Sequence, residues 1–431
     1  MVFAPLSGSV SRVTPSRSSA KHVLVRQYKR AVLTFFAVED DELLDIASLM
    51  RGECRILESS RLVVFSPVTA SKYVVTVGDL GILLRVPANR WTAEEEILEV
   101  GTDRQQLEAM ARKGLLLSDS SDPMLMELRR RAEILAAEQW HPYAAFYHFM
   151  TRTAELEGMD EPMDYAAIEA RASERASRYV AEHGPPPPVF RSHPTEPEVP
   201  NLELPMVEKT GELYEILKRR KTTRGFDLNY GMRLGDLSTL LYYTFGCHGY
   251  TFLSPEVPLI HRTSPSGGSR HPVEVYTLIL RVEGIETGLY HYDVQNHSLE
   301  SIKSYDMKTA QELAVQFAAG QTYSDSAHVL FIMTAVYFRN FWKYRKRSRA
   351  YSVILMDSAH LSQTLYLVAT DLGLGMFFSA AIDNRKIEDE IGIDPYREGA
   401  IAICGCGVKA ATAEASYSLN FKPFVPRKTT L

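Results

Sequence analysis

Four consecutive prolines interrupt this chain before its midpoint. Residues 185–188 are all proline, Gly184 precedes them, and four more prolines follow by residue 205. Such a run favours an extended polyproline II backbone and cannot continue a helix. We therefore predict that residues 184–205 are a linker between two folded parts. A length of 431 residues suits two parts, because one domain takes roughly 150 residues.

The composition excludes several classes of protein. Hydrophobic residues make up 45% of the chain, as in globular proteins, and a net charge of -5 supplies no basic field to recruit nucleic acid. Four cysteines do not make a disulfide framework, and the close pair Cys404 and Cys406 is interpreted as small residues near the end of a buried strand, with no metal. No apolar run approaches the ~18 residues of a membrane span. We expect a soluble, cytoplasmic protein without nucleic-acid or membrane partners.

The residues before the linker predict a small domain behind a tail. The first 38 residues contain no Asp or Glu, and residues 1–30 are expected to be a flexible basic tail, with an organelle transit peptide as the alternative. Three stretches rich in β-branched and aromatic residues predict strands, at residues 31–38, 61–66 and 72–77. Three helical patterns follow, at residues 79–84, 92–100 and 103–113.

This order of strands and helices resembles the winged-helix-like leader-peptide recognition elements of peptide-modifying enzymes, over about residues 55–119. Residues 31–120 are accordingly expected to be a winged-helix-like domain that either recognises a peptide or packs on the rest of the protein. Residues 121–183 are expected to be a helical connector. The dense aromatic patch at residues 140–150 is interpreted as core between domains.

The residues after the linker, 206–431, alternate helix and strand. Apolar runs predict strands at residues 273–281, 329–336 and 400–405, and residues 288–299 predict a hairpin. Helical patterns occur at residues 213–218, 234–246, 307–319 and 352–372. The fold class predicted for this part is α+β, with a mixed sheet flanked by helices.

Three separated segments suit a planar cofactor that carries a phosphate. Arg220, Thr222 and Arg224 alternate, so an extended segment would present two guanidiniums and a hydroxyl on one side. Residues 262–272 contain adjacent glycines whose backbone N–H groups can approach a ligand closely. Gly373-Leu374-Gly375 leads to Ser379-Ala380-Ala381, and small residues there would let a ring edge lie against backbone amides. The structural alternatives are a basic turn, a plain turn before a strand, and a glycine helix cap.

The segment at residues 338–351 carries six basic residues and no acidic one. It is predicted to be a loop that leads into the long helix at 352–372. Basic neighbours disfavour the charged form of Lys343, which is the direction that a general base requires, and Tyr344 would orient or relay the proton. The alternatives are a solvated basic loop and a packed tyrosine. On the following helix, Asp357 and His360 are spaced to touch each other.

Taken in order, these motifs resemble the FMN-dependent nitroreductase superfamily. They are Arg-x-Thr-x-Arg-x-Phe at 220–226, Pro-Ser-Gly-Gly-Ser at 265–269, and the long helix that ends in Gly-Leu-Gly at 373–375. Three features are similar to the SagB-type dehydrogenases, which oxidise peptide azolines to azoles: residues 265–276, residues 288–293, and the Trp-Lys-Tyr at 342–344. The resemblance covers about residues 214–403. It includes the helix at 357–363, where Ala359 stands at the position before His360 that is usually glycine in the family.

The resemblance implies FMN as the cofactor, bound at the interface of a homodimer. The residues that it implies for FMN binding are Arg220, Thr222, Arg224, Ser264, Ser266, Gly267, Ala380, Ala381, Arg427 and Lys428. The first three and the last two would hold the phosphate end, and the serines and Gly267 would reach the flavin from the partner subunit. A backbone amide of the alanine pair would face flavin N5. Lys343 and Tyr344 match the catalytic pair of azoline dehydrogenases.

The function expected from these implications is oxidation of azolines to azoles in a ribosomally made precursor peptide. The N-terminal domain would bind the leader of that peptide or a cyclodehydratase partner, and oxygen would reoxidise the flavin. Two alternatives stay open at this point. The same fold can reduce dehydroamino acids, enones or nitro compounds, or it can be a catalytically inert scaffold that binds peptide.

Overall fold

The computed structural model describes residues 26–44, 56–98, 103–152, 165–187, 204, 208–345 and 347–411. Two compact units divide these residues. Those of the first unit fall within Met1–Val32, Ala37–Val63 and Tyr73–Arg129. Those of the second fall within Leu33–Phe36, Val64–Lys72 and Arg130–Leu431. By this division, described residues from Arg130 onward group with the C-terminal part, whereas the sequence suggested a separate connector.

The N-terminal residues form two small antiparallel sheets and three helices. Strand β1 (Gln27–Arg30) lies between β5 (Thr92–Ala93) and β6 (Leu116–Ser118). The second sheet has the order β2 (Phe35–Leu44), β3 (Ile56–Ser66) and β4 (Ser71–Val74). The helices are α1 (Val77–Arg85), α2 (Glu94–Leu98) and α3 (Arg104–Arg112). Helix α1 begins at a capping box, because Thr76 and Asp79 each accept the other's backbone N–H.

Three further helices precede the C-terminal sheet: α4 (Pro123–Ala137), α5 (Pro142–Thr151) and α6 (Tyr165–His183). The aromatic patch at residues 140–150 contains α5, and it was predicted to be core between domains. Trp140 and Phe149 are buried and pack on side chains of the predicted C-terminal domain, and the described residues of the patch fall within the same second unit as that domain. Trp140 packs on Phe341, and Phe149 stacks on Tyr396. Aromatic rings at helical spacing need a buried partner, and here the C-terminal part of the chain supplies it.

The second unit is built on a six-stranded sheet in the order β11-β10-β9-β12-β14-β13. Its strands are β9 (Val273–Ile279), β10 (Gly288–Asp293), β11 (Ser298–Ser304), β12 (Val329–Val336), β13 (Gly375–Ser379) and β14 (Glu398–Gly407). Each pairing of these strands is antiparallel. A separate hairpin pairs β7 (Gly249–Ser254) with β8 (Val257–His261).

Helices cover both faces of this sheet. They are α7 (Glu212–Arg219), α8 (Leu234–Phe245), α9 (Met307–Phe317), α10 (Tyr337–Tyr344), α11 (Ala350–Asp371) and α12 (Asn384–Ile391). Phe331 faces the core under α8 and α11, whereas Leu330 and Ile332 face the core under α9 and α12. This alternation follows from the period of two along a strand. The predicted α+β domain of a sheet flanked by helices is confirmed, but the sheet was predicted to be mixed, and every pairing of these strands is antiparallel.

Two local predictions have different outcomes. Cys404 and Cys406 are fully buried in β14, which confirms their interpretation as small strand residues. The segment around Lys343 was predicted to be a loop, and this is wrong for its first half, which is helix α10. Tyr337, Asn340 and Phe341 are its buried residues, and their i, i+3, i+4 spacing gives the helix one buried face. No helix in the described part of the chain has the length and apolarity to cross a membrane.

Candidate functional site

Helix α11 organises the glycine loop at residues 264–269. Ser264 Oγ lies 2.6 Å from Thr364 Oγ1 and donates to the His360 carbonyl at 3.3 Å. Ser266 Oγ donates to Asp357 Oδ2 at 2.5 Å, and the Gly267 N–H donates to Asp357 Oδ1 at 3.2 Å. Three residues of the predicted flavin set are therefore fixed to one helix of the same chain.

Asp357 is the functional residue whose role the sequence did not reveal. Its spacing predicted contact with His360, but its two oxygens bind the glycine loop, and His360 Nδ1 lies 3.3 Å from the Pro265 carbonyl. Burial raises the pKa of Asp357, while the hydrogen bonds from Ser266 and Gly267 act to lower it. An acidic residue on the buried side of an apolar helix was the available signal, because such a carboxylate needs donors.

The glycine loop also contacts the predicted catalytic pair at the end of α10. A Cβ built on Gly268 would lie 2.4 Å from both Cδ and Nζ of Lys343, and Gly268 has a φ of 63°. A Cβ built on Gly267 would lie 3.2 Å from Tyr344 Oη and 2.2 Å from Val353 Cγ1. A side chain at position 267 would meet Val353, and one at position 268 would have to displace the end of the Lys343 side chain. The structure thus brings Ser264, Ser266, Gly267, Lys343 and Tyr344 together within one chain.

The surroundings of Lys343 are more open than the sequence suggested. In the single chain, Lys343 is exposed and Tyr344 is half-buried. Lys343 Nζ lies 6.0 Å from the centroid of the Tyr344 ring, and the Arg270 guanidinium stacks over Trp342 at 5.4 Å. The predicted roles of Lys343 as base and Tyr344 as its partner stay predictions.

A second group of predicted residues lies around the other end of α11. Thr222 Oγ1 is 3.1 Å from Tyr366 Oη, and the Arg220 guanidinium lies over the Tyr366 ring at 5.2 Å. Arg224 lies over the Tyr323 ring at 5.6 Å. The Thr223 N–H donates to the carbonyl of Met376 in β13, which fixes the segment beside the sheet. Arg220 and Thr222 therefore meet at Tyr366, Arg224 lies at Tyr323, and the role of the three at a phosphate stays a prediction.

Positive charge accumulates around this second group. The pKa of Lys409 is lowered by burial first and then by the charges of Lys221 and Arg219. Among the described residues, no carboxylate lies within 4 Å of Arg220 or Lys409. Cations that repel one another and lack acidic partners suit a phosphate, which guanidiniums bind through paired hydrogen bonds. These residues fit the phosphate end of FMN.

The alanine pair follows β13, and its conformation is fixed by neighbouring side chains. The Ala381 N–H donates to Ser379 Oγ at 3.2 Å, and Gln321 Nε2 donates to the Ala381 carbonyl at 3.2 Å. Both Ala380 and Ala381 are exposed. In the described residues, the Ala380 N–H has no hydrogen-bond partner. Of the two amides predicted to face a flavin, that of Ala380 is the one available as a donor.

The two groups of site residues contact adjoining parts of α11, a helix of 22 residues. The glycine loop contacts it from Asp357 to Thr364, and Thr222 contacts it at Tyr366. Asp357 and Tyr366 are nine residues apart, which corresponds to about 13.5 Å of helix at 1.5 Å per residue. Arg427 and Lys428, predicted to complete the phosphate site, lie outside the described residues.

Comparison with known proteins gives matches to the C-terminal part of the chain. Residues 217–408 match the model of the nitroreductase family. A Methanocaldococcus jannaschii protein named as a nitroreductase, MJ1384, is 29% identical over 198 residues, which is 45% of this chain and 91% of MJ1384. The trifolitoxin-processing protein TfxB of Rhizobium leguminosarum bv. trifolii is 32% identical over 146 residues, which is 33% of this chain and 38% of TfxB.

A third relative is the microcin B17-processing protein McbC of Escherichia coli, 29% identical over 129 residues, which is 28% of this chain and 45% of McbC. A chain of the solved E. coli microcin synthetase McbBCD complex with truncated pro-MccB17 bound superposes with a TM-score of 0.43 at 19% identity, covering 64% of this chain and 92% of that chain. This chain spans less than half the length of TfxB and McbC. The similarity to the nitroreductase family lies within residues 217–408.

Proposed function

We propose that this protein is an FMN-dependent oxidoreductase that oxidises azoline rings of a ribosomally made precursor peptide to azoles. One observation carries the proposal: Lys343 and Tyr344 rest against Gly267 and Gly268, in a domain that also gathers Arg220, Thr222 and Arg224. A proton acceptor and a phosphate site are the two parts that such a reaction requires of the protein. The names of TfxB and McbC, both processing proteins of peptide products, support the choice of a peptide.

The phosphate end of FMN would lie against Arg220, Thr222 and Arg224, with Lys409 adding charge. When bound, the flavin supplies an acceptor for a hydride. We assign the exposed Ala380 N–H to the ring end of the cofactor, because it is a fixed donor at the end of β13. In the proposed homodimer, Ser264, Ser266 and Gly267 of each chain serve the flavin of the other.

Conversion of an azoline to an azole removes a proton from one ring carbon and a hydride from its neighbour. In the proposed reaction, the Lys343 amine accepts the proton, and the Tyr344 hydroxyl orients that amine or relays the proton. Gly268 allows the lysine to lie against backbone, so its position is set by contact rather than by a long free stem. Hydride and proton together account for both hydrogens lost, and oxygen is the oxidant that regenerates the flavin.

The first unit would serve recognition in this proposal. It contains three short helices and strands of small antiparallel sheets. We propose that it binds the precursor peptide or a cyclodehydratase that makes the azolines. A pull-down of the full chain with a leader peptide, and separately with a cyclodehydratase, distinguishes the two.

The test of the cofactor is the visible absorption spectrum of the purified protein. We expect flavin bands and release of FMN on denaturation. Arg220→Gln and Arg224→Gln should each lower the FMN content, whereas Arg385→Gln, at an exposed position of α12, should not. A colourless protein that also refuses added FMN would remove the basis of the proposal.

The test of the chemistry is the mass change of a thiazoline-containing peptide. The wild type should remove two hydrogens, and Lys343→Ala should abolish this loss while FMN stays bound. Gly268→Ala should also lower the rate, because its methyl group displaces the lysine. The matched control is Gly284→Ala, which has a φ of 78° and no atom within 4 Å of an added Cβ, so it carries only backbone strain. If Gly268→Ala and Gly284→Ala oxidise the peptide at equal rates, the proposed role of Lys343 is contradicted.

A second candidate is reduction of nitro compounds or of other electron-poor double bonds. The observation that favours it is the match to MJ1384, which covers 91% of that protein. Turnover of a nitroaromatic with a reduced nicotinamide, unaffected by Lys343→Ala, would support this candidate. Absence of that turnover alongside azole formation would exclude it.

A further inference from the structure

A cavity of about 780 Å³ lies beside β8 and β10, and none of its lining residues belongs to the predicted flavin set. Its apolar walls include Tyr250, Pro258, Ile260 and Val294. A cavity of this volume accommodates a small molecule or a few residues of peptide, and such sites combine apolar walls with a few placed polar groups. The ligand that fits therefore has an apolar body.

The polar lining contains a buried guanidinium that lacks an acidic partner. Arg262 is 5% exposed, its Nη1 donates to the Val273 carbonyl at 3.3 Å, and its Nε has no hydrogen-bond partner. In the part of the chain that the structure describes, no carboxylate lies within 4 Å of Arg262. Burial lowers the pKa of Arg262, which reports the cost of a desolvated charge.

The other cations of the cavity lie beside carboxylates. Glu274 pairs with Arg339, and it also lies 3.4 Å from His291 Nε2. His291 Nδ1 in turn lies 2.9 Å from Glu300. Asp293, at the rim, accepts hydrogen bonds from the backbone of the turn that follows it. Within this described set, Arg262 is the cation without a carboxylate within 4 Å.

The guanidinium without a paired carboxylate defines the chemical class of the ligand. It suits an anion, and guanidiniums bind carboxylates through two parallel hydrogen bonds. The nearby carboxylates of Glu274, Asp293 and Glu300 disfavour a phosphate monoester, which carries nearly two charges at neutral pH. Arg339 and Lys343 are four residues apart on α10, so they lie on one face of that helix and place the cavity beside the proposed base.

We propose that this cavity binds a carboxylate of a peptide, either an acidic side chain or a free C-terminus, against Arg262. The choice of a peptide rests on the proposed function, whereas the choice of a carboxylate rests on the cavity alone. The site would hold the peptide beside Lys343 by a group remote from the reacting ring.

Three matched pentapeptides test the proposal by calorimetric titration of the full-length protein. The first has a central Asp and an amidated end, the second has Asn and an amidated end, and the third has Asn and a free carboxyl end. We expect the first or the third to bind about tenfold or more tightly than the second, which identifies the source of the carboxylate. Equal binding by all three, or no binding by any, would overturn the proposal.

Variants assign the binding to this cavity. Arg262→Met keeps the length of the stem and should remove the preference for the carboxylate. Ile260→Trp should do the same by filling the cavity with Arg262 intact, so it decides the question if Arg262→Met does not fold. Arg281→Met is the matched control, because Arg281 also binds backbone carbonyls but lies outside the cavity. Retained preference in a folded Arg262→Met or Ile260→Trp would refute the assignment.

Inorganic phosphate is the competitor that tests the class of anion. We expect phosphate to displace the carboxylate peptide only at concentrations far above those at which the peptide binds. Competition at equal concentration would overturn the choice of a carboxylate. The titrations measure binding and need no turnover. If the protein holds no flavin and has no activity but still prefers the carboxylate peptide, the proposed function has failed and this inference has not.

Discussion

Replacing His291 with glutamine should remove a pH-dependent part of the stability of the second unit. His291 lies between two carboxylates, with Nε2 3.4 Å from Glu274 and Nδ1 2.9 Å from Glu300. The hydrogen bond to Glu274, helped by that to Glu300, raises the pKa of His291 from 6.5 to about 9, although burial opposes the rise. A histidine whose pKa is raised in the folded state binds its proton more tightly there than in the unfolded chain. Its stabilisation is complete below about pH 6.5 and is lost as the pH rises through about 9.

The size of the effect follows from the difference between the two pKa values. A difference of about 2.5, at about 1.36 kcal/mol for each, gives an upper bound of roughly 3.4 kcal/mol. The His291 side chain is 26% exposed, so solvent screens part of this interaction. We therefore expect about 2 kcal/mol of the free energy of unfolding to disappear between about pH 6 and about pH 9.

Urea unfolding at several pH values, followed by tryptophan fluorescence, measures this loss. The wild type should lose about 2 kcal/mol more than His291→Gln over that range. His183→Gln, at an exposed position of α6, is the control and should follow the wild type. If wild type and His291→Gln lose stability in parallel, the two carboxylates do not hold the proton as the geometry indicates.

Three further substitutions test the local structure by the free energy of unfolding. Asp357→Asn should cost about 1–3 kcal/mol and speed hydrogen exchange at the Gly267 N–H. The reason is that the asparagine NH2 group cannot accept a hydrogen bond, so one of the two donors of the glycine loop loses its partner. Unchanged exchange would contradict that role. Gly373→Ala should cost about 1 kcal/mol, because Gly373 ends α11 with a φ of 75°; a neutral result would exclude the strained cap. Trp140→Ala should cost about 3–5 kcal/mol, since the buried ring packs on Phe341; a cost near that of a surface change would count against a core position.

The central sheet was predictable because buried strands are apolar on both faces. Val329–Val336 is a continuous apolar run in the sequence and has the same limits as β12 in the structure. The C-terminal cap of α11 was also predictable, from the glycine that follows the helical pattern. The Leu374 N–H donates to the Ala369 carbonyl and the Gly373 N–H to that of Thr370, which is the Schellman arrangement that a glycine after a helix indicates.

Helix α10 was missed because its polar face dominates the local sequence. Arg339, Lys343 and Arg345 make the segment look like a solvated loop, whereas its fold is decided by Tyr337 and Phe341, which are buried. Both pack on Trp140, whose ring centroid lies 4.7 Å from that of Tyr337. Trp140 lies about two hundred residues earlier in the chain, and such a tertiary contact overrides the local pattern. No local pattern can report a contact of that sequence separation.

The candidate site was predictable by residue type and not by arrangement. Alternating Arg220, Thr222 and Arg224 indicated a phosphate site, and the structure places the first two at Tyr366 and the third at Tyr323, neither of which a motif singled out. The binding of Ser266 by Asp357 joins positions 91 residues apart, so it required the fold to be known. Residue types in the sequence indicate which side chains can bind a ligand, but only the packing determines which of those side chains lie together.

The contact between Gly268 and Lys343 has a consequence for how the protein can evolve. A methyl group at position 268 would lie 2.4 Å from the lysine nitrogen, so a larger residue at 268 has to displace the end of the Lys343 side chain. Among relatives that keep lysine at 343, position 268 should stay glycine. Lineages that lose the lysine keep only the restriction from the φ of 63°, so other residues should appear at 268 more often. An alignment of many relatives would then show positions 268 and 343 as a covarying pair. The residue at 268 would indicate which lineages still use the lysine amine.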